Sequence, residues 1–111
     1  MTRSAAKIIQ ETVEGWPGVE SAPHRFGGIE FRVGRRELGH LHGSRLADLP
    51  FPRRVRDELI TSGRAAPHHV LPDSGWVSFR IRTDDDVDAA IDLFRMSYDR
   101  ATSARRPTTS V

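Results

Sequence analysis

The chain has 111 residues, with 17 Lys+Arg against 15 Asp+Glu, 37% hydrophobic residues and no cysteine. That length excludes a TIM barrel or a two-domain enzyme, which need at least about 200 residues, and fits one domain with a single modest core. A chain without cysteine has no disulfide, no thiolate zinc site and no thiol nucleophile, as expected of a reducing cytoplasm.

The pI of about 9.9 rests on arginine, because Lys7 is the only lysine. An arginine-rich, lysine-poor composition is what a GC-rich bacterial genome produces. A net charge of +2 is too small to demand a phosphate backbone as partner, so nucleic acid is not the favoured ligand. The N-terminus lacks the apolar run of a signal peptide, and no stretch approaches the roughly 18 apolar residues of a membrane span.

Ser4 to Gly15 reads as a helix: Ala5, Ile8, Ile9, Thr12, Val13 and Trp16 fall on one stripe, and Gly15 and Pro17 stop it. Val19–Phe26 is then extended. Ile29, Phe31 and Val33 alternate with Glu30 and Arg32, the period of a strand with one face on a core. Leu38 to His42 and Leu46 to Phe51 are two further strands, and the tight turns between all four imply antiparallel pairing. Pro52 opens a second helix with the stripe Val55, Leu59 and Ile60, capped by Gly63. Arg64–Ser74 reads as a loop.

Trp76 to Arg82 is a fifth strand, with Val77, Phe79 and Ile81 facing one way and Trp76, Ser78, Arg80 and Arg82 the other. Thr83 caps a last helix with Asp84, Asp85 and Asp86 in its first turn. Its stripe is Val87, Ala90, Ile91, Phe94, Tyr98 and Ala101. The composition of residues 102–111 is that of a disordered tail. The expected architecture is α+β: one domain over residues 4–101, with an antiparallel meander of about five strands and helices packed on one face. The opposite sheet face is left polar.

Gly39-His40-Leu41-His42-Gly43 is the most unusual stretch. Histidines at i and i+2 of a strand put both imidazoles on one face, about 7 Å apart at the backbone, so that they can converge on one metal ion or one anionic group. The flanking glycines would let a ligand approach the backbone. Asp48 is the nearest carboxylate, and a three-ligand set of His40 and His42 with Asp48 or His69 can be assembled, although nothing in the spacing requires it. Of His68 and His69, adjacent on an extended chain, at most one is expected to join. The plain structural alternatives are histidines bonded within the sheet and Asp48 as a strand-end cap or partner of Arg45. A one-residue register slip would turn both rings inward.

A cupin metal site is excluded, since Arg45 and Leu46 stand where its glutamate belongs. No Gly-x-Ser-x-Gly elbow, Walker motif or zinc-finger spacing occurs, and no motif calls for a cofactor. The Arg53-Arg54-Val55-Arg56 cluster at a helix start, where the dipole disfavours cations, is a candidate anion site.

Trp16-Pro17-Gly18-Val19, Pro23-His24-Arg25-Phe26-Gly27-Gly28, Gly39-His40-Leu41-His42-Gly43, Phe51-Pro52 with Leu59, and Ser74-Gly75-Trp76-Val77 with Ser97-Tyr98 resemble the small bacterial and fungal domain labelled "luciferase family". The resemblance covers nearly all of residues 4–101 and implies no assigned catalytic residue. A flavin-dependent bacterial luciferase is a TIM barrel, which this chain is too short to be. More distantly, the N-terminal helix ended by Pro-Gly, Gly75-Trp76 and Ser97-Tyr98 resemble the YjbR-like family, which implies a frataxin-like α+β fold.

Three functional expectations follow. The first is a cytoplasmic module that binds a small polar or anionic molecule on the exposed face through His40, His42, Trp76, Arg80, Asp48 and His69. The second is a small metal-assisted enzyme using His40 and His42. The third is nucleic-acid binding through arginines.

Overall fold

The structure is a computed structural model that describes residues 4–24 and 27–105. The element order is α1 (Ala5–Glu14), β1 (Val19–Pro23), β2 (Ile29–Val33), β3 (Arg36–His42), β4 (Leu46–Pro50), α2 (Arg53–Thr61), β5 (Ala66–Pro67), β6 (Trp76–Arg80) and α3 (Asp84–Arg105). All strands pair antiparallel in one sheet, in the order β1-β2-β3-β4-β6-β5. The sheet therefore has six strands where the sequence reading has about five. The added one, β5, has two residues within the expected Arg64–Ser74 loop. A segment that short has no alternation to read. Helix α3 runs four residues past Ala101, to Arg105, and residues 106–111 of the expected tail lie outside the described residues. Among the described residues, no helix is long and apolar enough to cross a membrane.

Period-2 alternation sends Phe31, Leu41, Ala47, Leu49 and Val77 to one face. There they meet Ile9 and Val13 of α1 and Ala90, Leu93 and Phe94 of α3, all essentially without solvent exposure. Phe31 and Phe94 meet edge to face at 5.3 Å. The Trp-Pro-Gly turn after α1 is fastened to α3, since the Tyr98 hydroxyl donates to the Pro17 carbonyl at 2.7 Å and the Trp16 ring lies 5.3 Å from Tyr98. At the start of α3, the Thr83 hydroxyl accepts from the Asp86 N–H while the Asp86 carboxylate accepts from the Thr83 N–H. This is the reciprocal cap the sequence suggests.

A β-bulge in β3 governs the other face. Phe31 pairs with Gly39 but Arg32 pairs with Glu37, so Leu38 has no partner across the ladder. The extra residue resets the alternation. Glu37 and His40, three apart and destined for opposite faces in a regular strand, come to the same face, and Leu38 turns into the core. The Ser97 hydroxyl of α3 donates to the Leu38 carbonyl at 2.8 Å, satisfying the acceptor that the bulge removes from the ladder.

Gly39 has φ +149°. A Cβ there would stand 2.7 Å from the Asp48 carbonyl oxygen and 2.9 Å from the Phe94 ring. This corrects, for Gly39, the expectation that the glycines beside the histidines admit a ligand. Gly39 is small because the core crowds it, and Gly43 serves the β3–β4 turn at φ +59°.

Candidate metal centre

Asp48 is the centre of the polar face. It pairs with His40 on β3 and with Ser78 on β6, so all three side chains project together. Its carboxylate has no solvent exposure. Oδ1 accepts from the Ser78 hydroxyl at 2.6 Å. Four imidazoles aim Nε2 at Oδ2: His42 at 2.9 Å, His69 at 3.1 Å, His40 at 3.3 Å and His68 at 3.4 Å. Asp48 is thus neither a strand-end cap nor a partner of Arg45.

Four N–H donors are too many for one carboxylate oxygen, which offers about two lone pairs. The spacing instead matches ligands around a cation. Donors about 2.1 Å from one ion sit about 3.0 Å apart at octahedral angles and about 3.4 Å apart at tetrahedral angles. His40, His42 and Asp48 each offer a ligand atom within 4.8 Å of the others, and so do Asp48, His68 and His69.

The outer contacts sort these two sets. His40 Nδ1 lies 2.7 Å from a Glu37 carboxylate oxygen. A carboxylate that takes the Nδ1 proton leaves the Nε2 lone pair free for a metal, the usual support of a ligating histidine. His68 is held the opposite way. Its Nδ1 accepts from the backbone N–H groups of Val70 and Leu71, at 3.1 and 3.0 Å. A neutral His68 therefore carries its proton on Nε2 and donates toward Asp48 rather than ligating. Burial, the largest influence on it, holds its pKa below the usual histidine value, which keeps that neutral form. The candidate metal set is therefore His40, His42 and Asp48, with His69 beside it and His68 as an outer donor. Accordingly, His68→Ala is expected to weaken metal binding by about tenfold to a hundredfold, the range of outer-contact changes, without abolishing it. Nitrogen NMR of the native metal-free protein should find the His68 proton on Nε2. A proton on Nδ1 would reverse the assignment.

Electrostatics agree with a strong cation position. Burial pushes the Asp48 pKa up, but hydrogen bonds from His40, Ser78 and His69 outweigh it and hold the carboxyl well below the usual range. Burial likewise pushes His40 down, and its bonds to Asp48 and Glu37 outweigh that and raise it to about 9. The metal-free site thus holds a proton on His40, where a metal would put its own charge.

The site opens into a hollow of about 410 Å³, walled by His24, His68, Val70, Leu71 and Trp76 around the triad. Trp76 stands 5.4 Å from the His40 ring and 6.1 Å from His68. His24, on the hairpin after β1, stacks on His40 at 4.1 Å. Val70 and Leu71 form the rim, and they are large apolar residues left exposed. The rim loop is tied down from α2, since Arg53 donates to the Asp73 carbonyl at 2.6 Å and Arg56 donates to the Pro72 carbonyl. The arginine run at the helix start, read from sequence as a candidate anion site, instead spends two of its guanidiniums on this loop.

Of the six residues singled out from sequence, His40, His42, Asp48, His69 and Trp76 share this hollow, whereas Arg80 lines a neighbouring groove. The expectation that at most one of His68 and His69 joins is corrected. The chain bends at His69, the two rings stack at 4.4 Å, and both reach Asp48. The bend removes the alternation on which that expectation rested. Glu37, Ser78 and His24 are additions. Ser78 shared a face with Trp76 and could have been placed by alternation, whereas Glu37 depended on the bulge.

A family model described as Luciferase domain matches residues 35–97, a span that contains every site residue named above except His24. No curated protein and no solved structure matches the chain.

Proposed function

The chain belongs to the Luciferase domain family, and from that premise we propose that it is a metal-dependent protein acting on a small organic molecule. His40, His42 and Asp48 hold one divalent first-row transition ion. Nitrogen and oxygen donors suit zinc, iron, manganese, cobalt and nickel, and a set of two imidazoles and one carboxylate leaves coordination positions open to a second molecule. The convergence of imidazole Nε2 atoms on one fully buried Asp48 oxygen carries this reading. The organic molecule presents an oxygen or nitrogen to the ion and lies against Trp76, Val70 and Leu71. The cysteine-free composition supports a reducing cytoplasmic setting.

Metal analysis of protein purified without a polyhistidine tag tests this directly. About one ion per chain is expected in the native protein and little in His42→Ala, with both folded by circular dichroism. Free metal at about a hundred times its Kd should stabilise the native protein by about 2.7 kcal/mol. A native protein that takes up none of these ions and gains no stability from them would refute the proposal.

A further inference from the structure

Beside the metal site lies a second concavity of about 490 Å³, lined by Arg64, Arg80, Arg82, His69, Ser78 and Asp86 among others. It exists because β5 is too short. Only Ala66 and Pro67 pair with β6, at Ser78 and Val77, so Phe79 and Arg80 have no strand neighbour on that edge. Gly63, at φ +78°, turns the chain out of α2 and brings Arg64 to the same place. Among the described residues, neither Arg64 nor Arg80 has a carboxylate within ion-pair distance. The one acidic lining residue, Asp86, has its Oδ2 occupied by the backbone N–H groups of Arg82 and Thr83, at 2.7 and 3.0 Å. Asp86 keeps its charge and offsets part of that of Arg82, so three guanidiniums against one carboxylate leave the groove net positive. Guanidinium forks match the oxygens of a tetrahedral oxyanion in charge and in geometry.

The groove adjoins the candidate metal site. His69 lines both spaces, and Ser78, in the groove wall, bonds Asp48 directly. We propose that this groove is an anion subsite, in which Arg64, Arg80 and Arg82 grip the phosphate- or sulfate-class group of a small molecule whose other end enters the hollow of the triad. The second half of that statement rests on the metal reading, and the first does not.

Inorganic phosphate is the probe. Titrated into metal-free protein, it should bind, and Arg64→Gln combined with Arg80→Gln should weaken binding by about tenfold or more without moving the unfolding midpoint, since both side chains are exposed. His42→Ala should leave phosphate affinity unchanged. No binding at millimolar phosphate, or equal binding by the double variant, would overturn the subsite. A short single-stranded oligonucleotide binding at far lower concentration than phosphate would overturn the small-molecule assignment in favour of a nucleic-acid backbone. The link between the spaces is read in manganese-loaded protein, where the ³¹P signal of bound phosphate should broaden far more in the native chain than in His42→Ala. Sharp phosphate lines beside a bound ion would overturn the link. A chain that binds phosphate but no metal would end the metal reading and leave the subsite standing.

Discussion

Replacing Asp48 by asparagine is expected to abolish stoichiometric metal binding and to cost the metal-free fold about 3 kcal/mol, the usual scale for removing one partner of a buried ionic cluster. The change is nearly isosteric, so no cavity contributes. Ser78 can still donate to the amide oxygen. The amide NH₂, however, then faces imidazoles that had been donating to Oδ2, and the His40 imidazolium retains only Glu37 for compensation. Chemical denaturation at neutral pH checks this, read as a lower midpoint at unchanged m-value. A loss below about 0.5 kcal/mol, the level of an ordinary surface change, would mean that water already screens the cluster.

The second large effect is on pH dependence, with opposite signs for the metal-free fold and for the metal. His40 has its folded pKa raised from 6.5 to about 9. Its contribution to metal-free stability is therefore complete below about pH 6.5 and is lost as pH rises through 9, on the order of 3 kcal/mol in all. Asp48 is depressed, so its contribution is present above the ordinary aspartate pKa and is lost as acid protonates the folded carboxyl. The metal-free protein should be most stable in the mildly acidic range between these two limits and should weaken on both sides of it. Metal affinity should run the other way across the alkaline half. A ligating His40 must surrender one proton, so affinity should rise about tenfold per pH unit up to the His40 pKa and then level off. Thermal unfolding with and without metal from pH 6 to 10 measures both. A metal-induced stabilisation independent of pH would remove His40 from the ligand set. His40→Ala should flatten the metal-free alkaline decline.

The architecture explains why such a cluster persists in a small domain. Charged and polar groups buried in the face of a sheet are costly unless each finds a partner. Here His40, Asp48 and His68 are each held from outside the histidine–aspartate cluster. Glu37 takes His40, Ser78 takes Asp48, the N–H groups of Val70 and Leu71 take His68, and Arg53 and Arg56 anchor the loop that carries His68 and His69.

Sequence by itself determined the element types over the long periodic segments, the faces they bury and the fact that His40 and His42 share one side of their strand; the register that sets Asp48 beside them came from the sheet. The first three follow from local periodicity: alternation in β3 and β4 settles which residues look away from the core, and a helix stripe such as Ile9 with Val13 announces its own buried side. Only the tertiary structure decided that Asp48 is fully buried, that Glu37 joins His40 across a bulge, that His68 and His69 both arrive from a bent loop, and that Arg80 belongs to a separate groove. Each of these depends on contacts between segments far apart in the chain. Ser97 of α3 supports the bulge at Leu38, α2 pins the loop before β6, and the shortness of β5 leaves an edge uncovered. No local period encodes such contacts, because their free energy arises only when the segments meet.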